Sequence, residues 1–306
     1  MNRAFVFFSG IALLFFSCGN FDYKGKGKDV PTAGDLELWV DHGDSLLFNQ
    51  FKELFEKNYP KASIKLLYAS ETEILKAVND GICRACVLHR NFDSTEINAL
   101  ENRNFKVRSM KIARTSAALM VNKQNSISQI SIGKLGDILA RLKQGTPASI
   151  PNMVIFDQAG GSNFRLLRDF YTKKRITIQS SQIRALHSPE SVLKWIENHP
   201  EAIGVVNVNL IADRSDPSSA QWYDKLRVLK VESVTDSQFV YPFQSQMAAN
   251  QYPFVSDMYF HDLQGYSGLA SGFLAWIYSQ PGQTLIKKSG LLPARDYGRT
   301  IELGSE

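Results

Sequence analysis

The turn Gly160-Gly161-Ser162-Asn163, with Arg165 just beyond it, carries the most chemistry-specific spacing in the chain. An apolar run from Met153 to Phe156 precedes it and reads as a strand; Phe164 to Lys173 follows with helical periodicity. The first amides of a helix lack intrahelical acceptors and lie at the positive end of its dipole. Gly161 lets that backbone approach an oxyanion, Ser162 and Asn163 add side-chain donors, and Arg165 can reach back with a guanidinium fork. The same residues also suit an ordinary strand–helix turn in which Ser162 or Asn163 only caps the helix.

Other candidates stand at strand ends. Arg90 follows an apolar run, Cys83 to Leu88, at the place where open α/β sheets hold ligands; it also suits a surface arginine beside Glu96. Asp41, His42 and Ser45 occupy the analogous end of the strand Leu36–Val40, and Ser45 is either a ligand hydroxyl or the N-cap of the next helix. Ser70, before Glu71, offers the same choice. The five histidines form no HExxH or H-x-H arrangement, and no G-x-S-x-G elbow, Walker loop or dinucleotide fingerprint occurs. Neither catalysis, nor a metal site, nor a cofactor is expected, although Asp41 with His42 could serve as a base. Cys83-Arg84-Ala85-Cys86 has redox or zinc spacing, but on a strand its cysteines point to opposite faces and read as two buried small hydrophobes.

The elements that must position these residues alternate. After Leu36–Val40 come a helical stripe from Ser45 to Tyr59 stopped by Pro60, a strand Ile64–Tyr68, a helix Glu71–Asn79, the strand Cys83–Leu88 and a helix Thr95–Glu101. Further strands are expected at Ala117–Val121, Met153–Phe156 and Ile203–Val208, and helices at Pro189–Asn198 and Gly272–Lys288. This alternation predicts α/β architecture with mostly parallel sheets and crossover helices. Crossings between two lobes are read near Lys111–Ala118 and Leu226–Val234.

With 306 residues, 44% of them hydrophobic, the chain can form one large domain or two of ordinary size. Its net charge of +5 comes from interspersed charges, which argues against a nucleic-acid face but suits an anionic ligand. Arg3, the apolar run Ala4–Phe16, then Ser17 and Cys18 form a lipoprotein-type signal, looser than usual because Phe15 and Phe16 are bulky. Cleavage before Cys18 would leave its thiol to carry the lipid, followed by a Gly/Lys-rich tether. The expected organisation is a signal peptide over 1–17, a lipid-anchored linker over 18–34, one lobe from 35–111 plus 235–306, and a second from 112–234.

Four segments together resemble the phosphate-type solute-binding proteins of ABC importers, particularly lipoprotein members from the Bacteroidota. They are Leu38-Trp39-Val40-Asp41; Arg90-Asn91-Phe92-Asp93-Ser94-Thr95-Glu96; Ile155 to Arg165; and a C-terminal run from Tyr252-Pro253-Phe254 to Ser289-Gly290-Leu291-Leu292-Pro293. The resemblance covers Asp35 to Ala294. It implies a two-lobed periplasmic-binding-protein fold (type II) whose interlobe cleft closes on a small inorganic oxyanion, phosphate favoured. It further implies a monomer at the periplasmic face, working with an ABC permease. Two departures stand out. Where phosphate binders of this family carry an aspartate after the third strand, this chain has Leu88-His89-Arg90-Asn91 with no carboxylate, and the usual paired Ser-Thr is replaced by Gly161 and Asn163 around one serine. In this reading Arg90 and Arg165 clamp the anion and neither supports the core. A degenerate homologue serving as an envelope scaffold or sensor is the alternative.

Overall fold

The computed structural model describes residues 29–140, 153–178, 181, 183–213 and 215–297. Cys18, the signal segment and most of the tether lie outside the described residues.

Strand β1 (Gly34–Asp41) leads through a short 3-10 turn into α1 (Ser45–Asn58), followed by β2 (Ala62–Ala69), α2 (Glu71–Asn79), β3 (Ala85–Leu88) and α3 (Ser94–Glu101). Next come β4 (Arg108–Asn122), β5 (Gln129–Ile130), α4 (Ile132–Ala140), β6 (Met153–Phe156), α5 (Ser162–Lys173), β7 (Ile183–Ala185), α6 (Pro189–Glu197) and β8 (Ala202–Asn207). The chain continues with α7 (Pro217–Ala220), β9 (Leu226–Val228), β10 (Lys230–Glu232), β11 (Phe239–Val240), α8 (Gln244–Ala248), β12 (Val255–Asp262), α9 (Leu269–Ile277), α10 (Gln280–Lys288) and β13 (Leu292–Pro293).

Alternation in β1 explains the first half of the sheet. Leu36, Leu38 and Val40 are buried on one face and Trp39 packs on the other, while Glu37 stays exposed. Each such aliphatic side chain contributes about 1.5–3 kcal/mol on full burial. β1 runs parallel to β2 and β3, with Asp41 opposite Ala69 and Val40 opposite Val87. All three strands therefore end on the same edge, delivering Asp41, Ser70 and His89 together. The strand order is β2-β1-β3-β12-β4-β8-β6-β7, with β12 and β4 antiparallel at the centre.

β4 joins the two lobes. Its first part, Arg108–Ser116, pairs with β12, and its second part pairs with β8 and β9. In the second lobe β6 is parallel to both β8 and β7, so the ends carrying Asp157 and Asn207 also share an edge. The return passage lies near Tyr252–Met258, not near Leu226–Val234 as expected: Val231 still pairs in the second lobe, Tyr252 and Phe254 pack into the second core, and Met258 and Phe260 into the first. Carboxyl ends of the parallel strands from both lobes thus meet across one cleft, the place ligands take in open α/β sheets.

Three further expectations need correction. The segment Gly272–Lys288 is two helices, because Pro281 cannot continue the first and instead starts α10 behind Ser279. The strand expected over Ala117–Val121 is the far end of the longer β4. Cys83 precedes β3, its thiol turned onto the Ala85 carbonyl at 3.3 Å, so strand alternation does not apply to it. Both cysteines are buried free thiols in one core cluster with Ile74, Leu88 and Phe92, rather than on opposite faces.

Candidate functional site in the interlobe cleft

The cleft is built from two turns facing each other. On the first-lobe side, Asp41 leaves β1 in an extended conformation and its Oδ1 accepts the Gly43 N–H at 2.9 Å. This closes a tight turn that places Asp44 at the head of α1. Asp44 is fully buried; its Oδ2 lies 2.6 Å from His89 Nε2 and its Oδ1 accepts from Asn207 Nδ2 at 2.9 Å. On the second-lobe side, Gly161 is the N-cap of α5 and makes no side-chain cap, which leaves the first amides of the helix open. The Ser162 N–H donates to Asp41 Oδ2 at 3.0 Å, across 121 residues. Ser162 Oγ and Asn163 Nδ2, both buried, have no partner.

The arginines are already engaged. Arg90 makes a bidentate pair with Glu96 at 2.6 and 2.7 Å, and its Nε lies 3.4 Å from Glu71 Oε1. Arg165 Nε is 2.5 Å from the same Glu71 oxygen, while Nη2 donates to the His89 carbonyl at 3.1 Å. Glu71 is buried and its Oε2 accepts no hydrogen bond. Arg165 thus ties the lobes together, contrary to the expectation that it has no supporting role. Beside this cluster a cavity of about 470 Å³ lies between the lobes, lined by Glu71, Thr72, Arg90, Gly160, Gly161 and Arg165 among others.

Two glycines allow the lobes to approach. A Cβ on Gly43 would lie 2.5 Å from Asn207 Nδ2, and one on Gly160 would lie 2.6 Å from Thr72 Oγ1. Thr72 also donates its N–H and hydroxyl to the Gly160 carbonyl, both at 3.1 Å.

Protonation follows from burial and charge. Burial, and then the charge of Asp41, pushes Asp157 up to about 8, so it carries a proton at neutral pH. Burial works to lower the His89 pKa, but the charge and hydrogen bond of Asp44, with Asp41 and Glu71, raise it to about 9. His89 is therefore an imidazolium locked to Asp44. Hydrogen bonding to Arg90 holds Glu96 below its ordinary value. Among the described residues no group of three or more His, Cys, Asp or Glu side chains is arranged to hold a metal ion.

The structure brings Asp41, Ser70, Arg90, Gly161, Ser162, Asn163 and Arg165 to the cleft. Their roles divide sharply. Ser70 is committed to a capping box with Glu73, its Oγ accepting the Glu73 N–H at 3.3 Å. Ser45 is not the N-cap of α1, because Asp44 takes that position and Ser45 begins the helix proper. Neither Ser162 nor Asn163 caps α5.

Of the acids in the cleft, only Asp41 is among the candidates that the sequence offers. Asp44, Glu71 and Asp157, with Asn207, complete the cleft. Asp44, from the turn after the first strand, sets its carboxylate against His89, the residue that follows the third strand. The signal that would have found Asp157 and Asn207 is positional, since each closes a parallel strand as Asp41 does.

Comparison places this architecture. The family model for a PBP superfamily domain matches residues 39–281. A Clostridium perfringens protein described as a phosphate ABC transporter substrate-binding protein, solved with bound phosphate, superposes with a TM-score of 0.67 at 15% identity, covering 86% of this chain and 100% of its own. An ABC-type phosphate transport receptor from Vibrio cholerae gives 0.60 at 12% identity, with 85% and 100% covered. The regulatory domain of CcmR from Synechocystis, in complex with 2-PG, gives 0.53 at 11% identity, with 79% and 95% covered. No curated protein matches the chain. The solved structures share the fold, and the match of the family model over most of the sequence shows that the chain belongs to the PBP superfamily.

Proposed function

We propose that this chain is a lipid-anchored, extracytoplasmic solute-binding protein, PstS-like and not an enzyme, that captures a small oxyanion in its interlobe cleft. Phosphate is the favoured anion and an ABC permease the favoured recipient. The second lobe, expected over 112–234, extends in this reading to the return passage near Tyr252–Met258, and the domain acts as a monomer tethered through Cys18.

One observation carries the reading: the first turn of α5 already holds a carboxylate oxygen at 3.0 Å from the Ser162 amide. An orphan helix N-terminus in a cleft is an anion site, and here it has an anion on it. The unpartnered Ser162 Oγ and Asn163 Nδ2 supply further donors in the same turn, and Arg165 lies one turn on. Arg90 and Arg165 would have to exchange Glu71 for solute as the anion enters from the neighbouring cavity.

The test is a thermal-shift and calorimetric panel of phosphate, sulfate and related oxyanions on the purified chain. A ligand that binds only the folded form adds RT ln(1 + [L]/Kd), about 2.7 kcal/mol at a hundredfold excess over Kd. Phosphate should raise the melting temperature; a flat response across the panel, with folded protein, would reject anion capture. Lipid attachment is tested separately, since Cys18→Ala should abolish labelling by a fatty acid.

A second reading has its own support. Arg90 and Arg165 are both neutralised by the chain's own carboxylates. A binding-protein homologue that no longer takes an anion, and serves as an envelope scaffold or sensor, would show this self-satisfied cleft. The same panel separates the two.

A further inference from the structure

Asp41 and the first turn of α5 form a contact that goes beyond a solute site. Asp41 belongs to β1 and the turn that follows it; Ser162 belongs to the opposite lobe, and both are almost fully buried. The carboxylate is shared. Oδ1 holds the Gly43 N–H within its own lobe at 2.9 Å, and Oδ2 holds the Ser162 N–H across the cleft at 3.0 Å. A carboxylate oxygen on a helix N-terminal amide is the arrangement an external oxyanion would adopt there. Around it two further cross-lobe contacts repeat the arrangement, with an acid of the first lobe meeting a donor of the second. Asp44 accepts from Asn207, and Glu71 pairs with Arg165.

We infer that Asp41 is a built-in ligand: its carboxylate occupies the anion position of α5, latches the cleft shut without solute, and must be displaced before a soluble oxyanion can bind. The latch itself rests on the observed contact; displacement by an oxyanion rests on the function proposed above. A solute then competes with a group tethered in the same cleft, at high effective concentration. Apparent affinity is reduced by the fraction of molecules that are open. Asp41 sets which solutes enter, because a weak acceptor cannot outcompete a tethered carboxylate for a charge-assisted bond.

The amide of Thr72 reports on the latch from a distance. It lies in the first turn of α2, has no acceptor inside its helix, and donates to the Gly160 carbonyl of the other lobe at 3.1 Å. Opening the cleft frees it. Hydrogen–deuterium exchange of the full chain in detergent, without added anion, should show a rise of tenfold or more in the peptide covering Glu71–Leu75 for Asp41→Ala. Ser162→Pro removes the donor instead of the acceptor. Proline is tolerated at the first helical position, and Gly161 before it already has an extended ψ of 165°. It should open the cleft equally, while Ser162→Ala, which keeps the N–H, should leave Thr72 protected. Unchanged Thr72 exchange in both Asp41→Ala and Ser162→Pro would overturn the latch. Should Asp41→Ala fail to fold, the contrast between Ser162→Pro and Ser162→Ala decides alone.

Calorimetry with inorganic phosphate gives the second arm. Asp41→Ala should bind it at least tenfold more tightly than the parent chain. Tighter Thr72 protection and weaker phosphate binding in Asp41→Ala would make Asp41 part of the solute site and reject the latch. If both variants open yet neither they nor the parent bind phosphate, the latch stands and phosphate capture falls.

Discussion

Glu71 and Arg165 meet at 2.5 Å across the cleft, the carboxylate from the first turn of α2 and the guanidinium from the first turn of α5. Glu71 is almost fully buried, whereas the Arg165 side chain keeps 18% of its surface exposed. Breaking a fully buried pair costs about 3–5 kcal/mol because a charge is stranded. Arg90 stays within 3.4 Å of Glu71, so the loss here should be smaller. Arg165→Ala is expected to lower unfolding free energy by about 1–3 kcal/mol in the ligand-free protein, a reduced share of the buried-pair cost. Urea midpoints check this, and Glu71→Gln combined with Arg165→Ala should recover much of the loss. An unchanged midpoint for Arg165→Ala would mean that the pair gives no support.

Gly43 and Gly160 are the places where the two lobes touch without a side chain between them. Gly43→Ala would drive a methyl into Asn207, which is already held by Asp44, and Gly160→Val would drive its side chain into Thr72. Overpacking of this kind costs about 1–3 kcal/mol. For a chain of this size the melting temperature should fall by several degrees, about 2–4 °C per kcal/mol. Gly133→Ala is the control, since nothing lies within 4 Å of its added Cβ. Equal melting temperatures for all three would show that the lobes do not rest on these glycines.

The buried titratable groups make stability fall toward alkaline pH. His89 is raised to about 9, so its contribution is complete below its unfolded value of 6.5 and disappears as pH rises through 9. Asp157 is raised to about 8 from 3.8; its folded form keeps a proton that the unfolded chain releases, and stability drops across that interval. His261 acts in the opposite sense below neutrality. Burial lowers it to about 4, so the unfolded chain binds more protons between 4 and 6.5, and stability rises with pH there. Between pH 4 and 6.5 Asp157 and His261 oppose each other, and above 6.5 no shifted group among the described residues offsets the loss. Denaturation midpoints should therefore change little from pH 5 to 6.5 and fall from 6.5 to 9. The slope is at most about 1.4 kcal/mol per pH unit for each proton retained. His89→Gln should flatten the upper part of the profile.

Cys83 and Cys86 are free and buried, and burial raises the Cys86 thiol well above its ordinary range. Iodoacetamide without reductant should leave both unmodified in the native chain and label both after unfolding. A Cys83–Cys86 linkage found by mass spectrometry would refute this arrangement.

How much of this could be read from the residues depends on the range of the forces involved. The alternation in β1, the capping signals Ser70-x-x-Glu73 and Asp93-x-x-Glu96, and the glycine-led start of α5 act within a few residues, and sequence periodicity records them directly. They were enough for the α/β class and for placing Asp41 and Arg90 at strand ends, while the two-lobed fold was implied by the resemblance to the phosphate-type solute-binding proteins. Partner choice was not local. Whether Arg165 faces solute or Glu71, and whether the α5 amides await a ligand or hold Asp41, depends on how two lobes close over separations of 94 and 121 residues. No periodicity encodes that distance. The tertiary structure decided it by bringing strand ends from both lobes to one buried cleft, where an unpaired charge is costly, so that Arg165 takes the carboxylate of Glu71 and Asp41 takes the Ser162 amide.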